Sequence, residues 1–204
     1  RLLGFMGMTA TMFMMPIYLI SFRGISEATA GGVLFLTSFG MGLAAYASGR
    51  LSDRFGTRRF TLLGFAVLIA TTIPMAFLSD GTPIAFIMFV LLANGIGAGI
   101  WNVPNNSMIL GMAPASSLGV VAALTNLTRN VGNVFGQAVA AGVVVAVMAA
   151  QGFDIPLSAI RADPGAGAAF LDGWRVAFLL VTVYCAAGVV LAAFTRPSAR
   201  PKTR

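Results

Sequence analysis

The chain of 204 residues contains no histidine, a single cysteine and six acidic residues. Without histidine, and with one thiol at Cys185 inside an apolar run, a conventional zinc site has almost no ligands, so no metal and no cofactor are expected. One cysteine permits no internal disulfide. General acid–base chemistry draws mostly on histidine and paired carboxylates, and no apolar run here holds such a pair, which argues against an enzyme. Charge of either sign is scarce. Asp, Glu, Lys and Arg together make up 9% of the chain, where a soluble domain carries about 25%.

What is present is hydrocarbon, 58% of the residues being hydrophobic. Residues 2–22 are uncharged, and at 1.5 Å per residue they make about 31 Å of helix, enough to cross a bilayer core. Five further runs follow, at about 28–49, 60–79, 83–110, 118–150 and 173–195. Gly24 marks the first turn and "SDGTP" the third. The uncharged stretch from Gly81 to Thr128 is too long for one span and divides at Pro114, with Pro104 expected to kink the fourth helix. Residues 151–172 hold Asp154, Pro156, Arg161, Asp163 and "PGAGA" and read as a polar external loop. Residues 196–204 read as a disordered, basic cytoplasmic tail. The expected fold is therefore all-α, a polytopic membrane bundle embedded in a lipid bilayer.

The net charge of +7 has a topological explanation. With six spans, one side collects Arg1, Arg50, Arg54, Arg58, Arg59, Arg196, Arg200, Lys202 and Arg204. The other collects Arg23, Arg161 and Arg175. Nine basic residues against three place both ends in the cytoplasm of a multi-pass protein of the cell membrane. No basic patch is interleaved with stacking aromatics, so no nucleic-acid partner is expected. The opening "RLLGFMGM" lacks both an initiator Met and a cleavage-type flank, and residue 1 reads as an internal position of a longer protein.

The segment "GRLSDRFGTRR", Gly49 to Arg59, holds five of the nineteen charges. Topology accounts for the number but not for Gly49, Asp53 and Gly56. Gly49 suits a close backbone approach where a helix ends, and Gly56 a turn that other residues resist. Asp53 can accept hydrogen bonds from a helix N-terminus or pair with Arg54 or Arg58. Such a connection can latch one conformation and release another.

This segment resembles the loop signature of the major facilitator superfamily, roughly Gly-x-Leu-x-Asp-Arg-x-Gly-Arg-Arg. Gly49, Leu51, Asp53, Arg54, Gly56 and Arg58 fit, and Thr57 stands where a basic residue is usual. "PNNSMILGMAP" and "SLGVVAALTNLTRNVGNVFGQAVAAGV" resemble late helices of fourteen-helix drug:proton antiporters, with Asn126, Arg129, Gly132 and Gly136 matching. "MMPIYLI" in the first span also resembles its family counterpart. The resemblance implies the C-terminal six-helix half of a secondary transporter that exports amphipathic compounds by alternating access, driven by a proton gradient. It further implies a partner in the missing N-terminal half of the same protein. A facilitator or symporter for a small metabolite is the alternative, and a non-transporting scaffold of the same fold is a third reading.

Several residues are candidates within that frame. Arg129, an ionisable group in a spanning helix, suits a transport cavity or gate, an interfacial anchor, or an inter-helix pair. Asn102 and Asn106 lie one turn apart, with Asn105 offset, and can line a cavity or bond between helices. Asn133 and Gln137 join Arg129 as a polar stripe on the fifth helix, and Asn126, matched by the resemblance, is a further cavity or gating candidate. Gly95 with Gly99, and Gly132 with Gly136, form small-x-x-x-small ridges suited to helix packing. Trp101 and the many Phe and Met side chains suit either a greasy cavity or ordinary membrane packing. Since the acids all lie in loops or at span boundaries, a proton-coupling acid is expected in the missing half, acting on Arg129.

Overall fold

The computed structural model describes residues 1–194, with the side chains of Asp53, Ala162 and Pro164 outside the description. The basic tail therefore lies outside the described residues. Six helices, each long and apolar enough to cross a membrane, account for nearly all of the described chain. They are α1 (Leu2–Pro16, continuing as a π-helical turn Ile17–Phe22), α2 (Glu27–Phe55), α3 (Thr57–Ala76), α4 (Ile84–Gly111), α5 (Leu118–Ala150) and α6 (Pro164–Phe194). No strand occurs among the described residues.

The connections follow from local chemistry. Ser26 caps α2, its hydroxyl accepting from the Thr29 amide. Gly24 takes φ +64°, which releases the chain from the π-helical turn. Between α3 and α4, the Ser79 amide donates to Thr82 Oγ1 at 2.9 Å, closing the turn that precedes Pro83.

Helix α6 starts about nine residues before the expected boundary of 173. Asp163 caps it: its Oδ1 accepts from the Gly165 amide at 2.8 Å, and Pro164 occupies the first helical position. The Asp-Pro pair was a helix start, and "GAGAAF" continues it because alanine favours helix. The external loop thus shrinks, and Asp172, expected in it, sits within α6 beside Arg175 and accepts from Gln151 Nε2 at 3.1 Å. At 31 residues α6 is about 46 Å long, so its first turns extend past a core of about 30 Å. Helix α4 is continuous through Pro104.

The charged segment also differs from expectation. Residues 49–55 are the last turns of α2 rather than a loop, and the connection to α3 is Gly56 alone, at φ +91°. Gly49 lies inside the helix, where an added Cβ would make only an ordinary 3.5 Å contact with Val103. It is not a close-approach glycine, because α2 runs on past it to Phe55 and the neighbouring helix leaves room for a Cβ.

The bundle pairs α2 with α4, α1 with α5, and α3 with both α4 and α6. A layered aromatic core at one end joins α1 to α6, with Trp174 and Phe178 ring centroids 4.4 Å apart and Tyr18 and Trp174 5.0 Å apart. The Trp174 indole donates to the Met75 carbonyl at 2.7 Å and binds α6 to α3. Trp101 is fully buried between Phe5 and Phe65, so it serves as packing rather than as a cavity wall.

Candidate functional site

Helical spacing sets Asn126, Arg129, Asn130, Asn133 and Gln137 on one stripe of α5 covering about 100° of arc. Asn126, Arg129 and Asn130 are exposed, and Asn133 and Gln137 are half-buried. The adjoining face, with Leu124, Leu127, Val131, Val134 and Phe135, is apolar and also exposed. Polar side chains at this depth are costly in hydrocarbon and normally face a bundle interior or a water-filled cavity. The stripe therefore contrasts with the lipid-like face beside it.

Its inner edge is anchored on α1. Thr9 Oγ1 lies 2.7 Å from Asn133 Oδ1 and 2.8 Å from the Phe5 carbonyl oxygen. A hydroxyl has one proton; turning the Asn133 amide to donate its N–H satisfies both contacts. Gly132 and Gly136 seat α5 on α1. A Cβ at Gly132 would lie 2.9 Å from the Leu2 carbonyl oxygen, and one at Gly136 2.7 Å from Met6 Cα. Gly95 and Gly99 do the same for α4 on α2: a Cβ at Gly95 would overlap the Thr37 carbonyl oxygen, and one at Gly99 would lie 2.9 Å from Ala44 Cβ. Membrane helices gain little from apolar burial, so such close contact carries much of their association.

At the start of α1, Arg1 Nη1 donates to Asn106 Oδ1 on α4 at 3.1 Å, and the guanidinium lies 5.3 Å over the Phe5 ring. Burial lowers the Arg1 guanidinium pKa from its usual range, and repulsion from Arg129 lowers it further. Among the described residues neither arginine has an ion-pair partner. Among the described residues, Arg1 Nε and Asn105 Oδ1 are both buried and find no hydrogen-bond partner. Asn102, one turn from Asn106, is half-buried. The arrangement concentrates positive charge and unsatisfied polar atoms where α1, α4 and α5 meet.

In the charged segment, Arg58 Nη2 donates to the Ala193 carbonyl, a favourable place for a cation at the C-terminal end of α6. Arg54 is exposed with its guanidinium 5.7 Å from the Phe55 ring centroid. The Asp53 side chain lies outside the described residues. Ser48, the residue immediately before the segment, donates to the Gly99 carbonyl at 3.2 Å and ties α2 to α4.

Sequence reading missed Arg1 as a site residue, Thr9 as the Asn133 partner, and Asn130 as a member of the stripe. Asn130 carried a readable signal, standing one turn from Asn126. Arg1 and Thr9 carried none, because their partners lie more than a hundred residues away.

Comparison with known proteins bears directly on this arrangement. Residues 2–137 match the profile of the Major Facilitator Superfamily. The chain belongs to this superfamily. Its members are transporters, not enzymes, and this chain is a six-helix membrane bundle of that fold. Similar proteins include the riboflavin transporter RibZ of Clostridioides difficile, 30% identical over 129 residues, 63% of this chain and 28% of that protein. The uncharacterized MFS-type transporter YcnB of Bacillus subtilis is 25% identical over 187 residues, 92% of this chain and 38% of its own length. A multi-drug resistance efflux pump PmrA homolog of Lactococcus lactis is 28% identical over 107 residues, 50% of this chain and 26% of the pump. The chain thus spans well under half the length of these relatives.

Proposed function

We propose that this bundle is one wall of a secondary transporter that exports small amphipathic compounds by proton antiport and alternating access. The observation that carries the reading is the polar stripe of α5, exposed at Asn126, Arg129 and Asn130 and covered among the described residues only along its inner edge. In the complete protein a second bundle, contributed by the rest of the chain, faces that stripe across the substrate pathway. The cell membrane holds the protein with both ends of this bundle on the cytoplasmic side, in keeping with the distribution of basic residues.

Proton coupling enters through Arg1 and Arg129. Two neighbouring cations without an ion-pair partner among the described residues favour a carboxylate on the facing bundle. Protonation of that acid weakens its attraction and frees the two bundles to rock. The α2–α3 turn, with Arg54 exposed and Arg58 tied to α6, is the conformational latch, and Asp53 completes it.

The test uses the full-length protein in liposomes with an acidic lumen. Antiport predicts concentrative uptake of an amphipathic dye, neutral or cationic, abolished when an ionophore collapses the pH gradient. Gradient-independent behaviour of every lipophilic dye tried overturns it. The similarity to a riboflavin transporter supports a second reading, transport of a small metabolite. Proton uptake with solute rather than proton release against it favours that reading.

A further inference from the structure

A crevice of about 360 Å³ opens between α1 and α2, lined mainly by Thr11, Met12, Met15, Leu34, Phe35 and Thr37. Its volume falls near the lower end of small-molecule sites, about 300–1,000 Å³. Most of the lining is apolar, but Thr37 is not satisfied within the protein. It is 5% exposed, and its buried Oγ1 has no hydrogen-bond partner among the described residues. Thr9, Thr11, Thr61 and Thr71, also buried, each bond to the carbonyl four residues back, which Thr37 does not. An unpaired hydroxyl in a spanning helix is unfavourable, since no solvent is at hand to satisfy it.

A second feature points to the same place. Pro16 has no N–H to offer the carbonyl of Met12, a crevice residue, and α1 turns π-helical directly after it, from Ile17. Such π-helical turns are frequent at functional sites. The crevice therefore combines an orphan hydroxyl, an interrupted helical hydrogen-bond ladder and polarizable Met and Phe side chains that adapt to varied shapes. Among the described residues, no charged side chain lines it.

We propose that this crevice binds a neutral, lipophilic solute bearing one hydrogen-bond acceptor, to which the Thr37 hydroxyl donates. The proposal deepens the transporter reading by naming the chemistry of its solute, and it separates from the coupling chemistry at Arg1 and Arg129. It rests on that reading only for the solute's being transported. Binding is measured at equilibrium without a gradient, so a failed transport assay and a failed binding assay are distinct results.

The experiment titrates the full-length protein in lipid nanodiscs with Prodan, a neutral naphthyl ketone whose fluorescence reports its surroundings. Empty nanodiscs define the partitioning background. Wild-type protein gives a saturable component above that background. Thr37→Val weakens it about fivefold, the worth of a typical neutral hydrogen bond, whereas Thr37→Ser, which keeps the donor, retains it. The analogue with the ketone replaced by a methylene binds wild type and Thr37→Val alike. Gly31→Leu removes saturable binding, because a side chain at Gly31 enters open space at the crevice. Thr37→Val loses no thermal stability, because the hydroxyl it removes has no partner, and this separates lost binding from lost fold. Absence of a saturable component overturns the proposal. So does equal affinity of the ketone for wild type and Thr37→Val, the result expected of a purely apolar crevice that accommodates a lipid tail.

Discussion

Replacing Gly95 by alanine tests whether the α2–α4 seam is set by backbone contact. The new Cβ would overlap the Thr37 carbonyl oxygen and lie 2.8 Å from its carbon and 2.9 Å from its Cα. All three are backbone atoms, so no rotamer change relieves the clash. Moving from 2.8 Å to an ordinary contact of 3.4 Å or more requires the helices to part by at least ~0.6 Å, and by more at the oxygen. The parting also loosens the next turn, where Gly99 meets Ala44 and Ala45. Overpacking against a rigid neighbour costs about 1–3 kcal/mol, and the backbone contact argues for the upper half, about 2–3 kcal/mol. Gly42→Ala is the control: it lies on α2, nothing is within 4 Å of its added Cβ, and alanine improves helix propensity by up to about 1 kcal/mol. Equilibrium unfolding of the full-length protein in mixed micelles measures both. Gly95→Ala as stable as Gly42→Ala would refute a seam held by backbone contact.

Three further outcomes are expected. Trp174→Phe leaves the Met75 carbonyl without its indole donor in a fully buried setting and lowers stability by about 1–3 kcal/mol, measured in the same unfolding assay. In a double-mutant cycle, Asn94 and Thr71, whose side chains bond at 2.9 Å, couple by about 0.6 kcal/mol and no more than about 1.7. Gly56→Ala strains a connection at φ +91° and ψ 133°, far from the left-handed region that asparagine tolerates, and costs about 1–3 kcal/mol; a comparable cost with Gly56→Asn identifies the backbone as the cause.

The helical architecture was legible because charge and hydrocarbon separate so sharply along this chain. Turns near Gly24, Ser79 to Thr82 and Pro114 announce themselves through residues with strong backbone preferences. The onset of α6 was obscured because Asp163 and Pro164 suit a loop as readily as a helix cap, and only the hydrogen bond to the Gly165 amide decides between them. The charged segment misled in the same way: charge density suggests a loop, but α2 continues as helix through it to Phe55. Glycine spacing at Gly95, Gly99, Gly132 and Gly136 suggested packing ridges, while the identity of each opposing helix required the folded bundle. The orphan hydroxyl of Thr37 was invisible, since a threonine in a helix ordinarily satisfies itself.

The claim that matters most is that the polar stripe of α5 lines a pathway opening alternately to the two sides of the membrane. Single cysteines at Asn130 and Gln137 of the full-length protein, probed with a membrane-impermeant thiol reagent, test it directly. Alternating access predicts that both sites react from one side at rest and that a pH gradient shifts reactivity toward the other side. Val134→Cys, on the apolar face, serves as the reference. Reactivity from one side under every condition, or none at either stripe position, would contradict it.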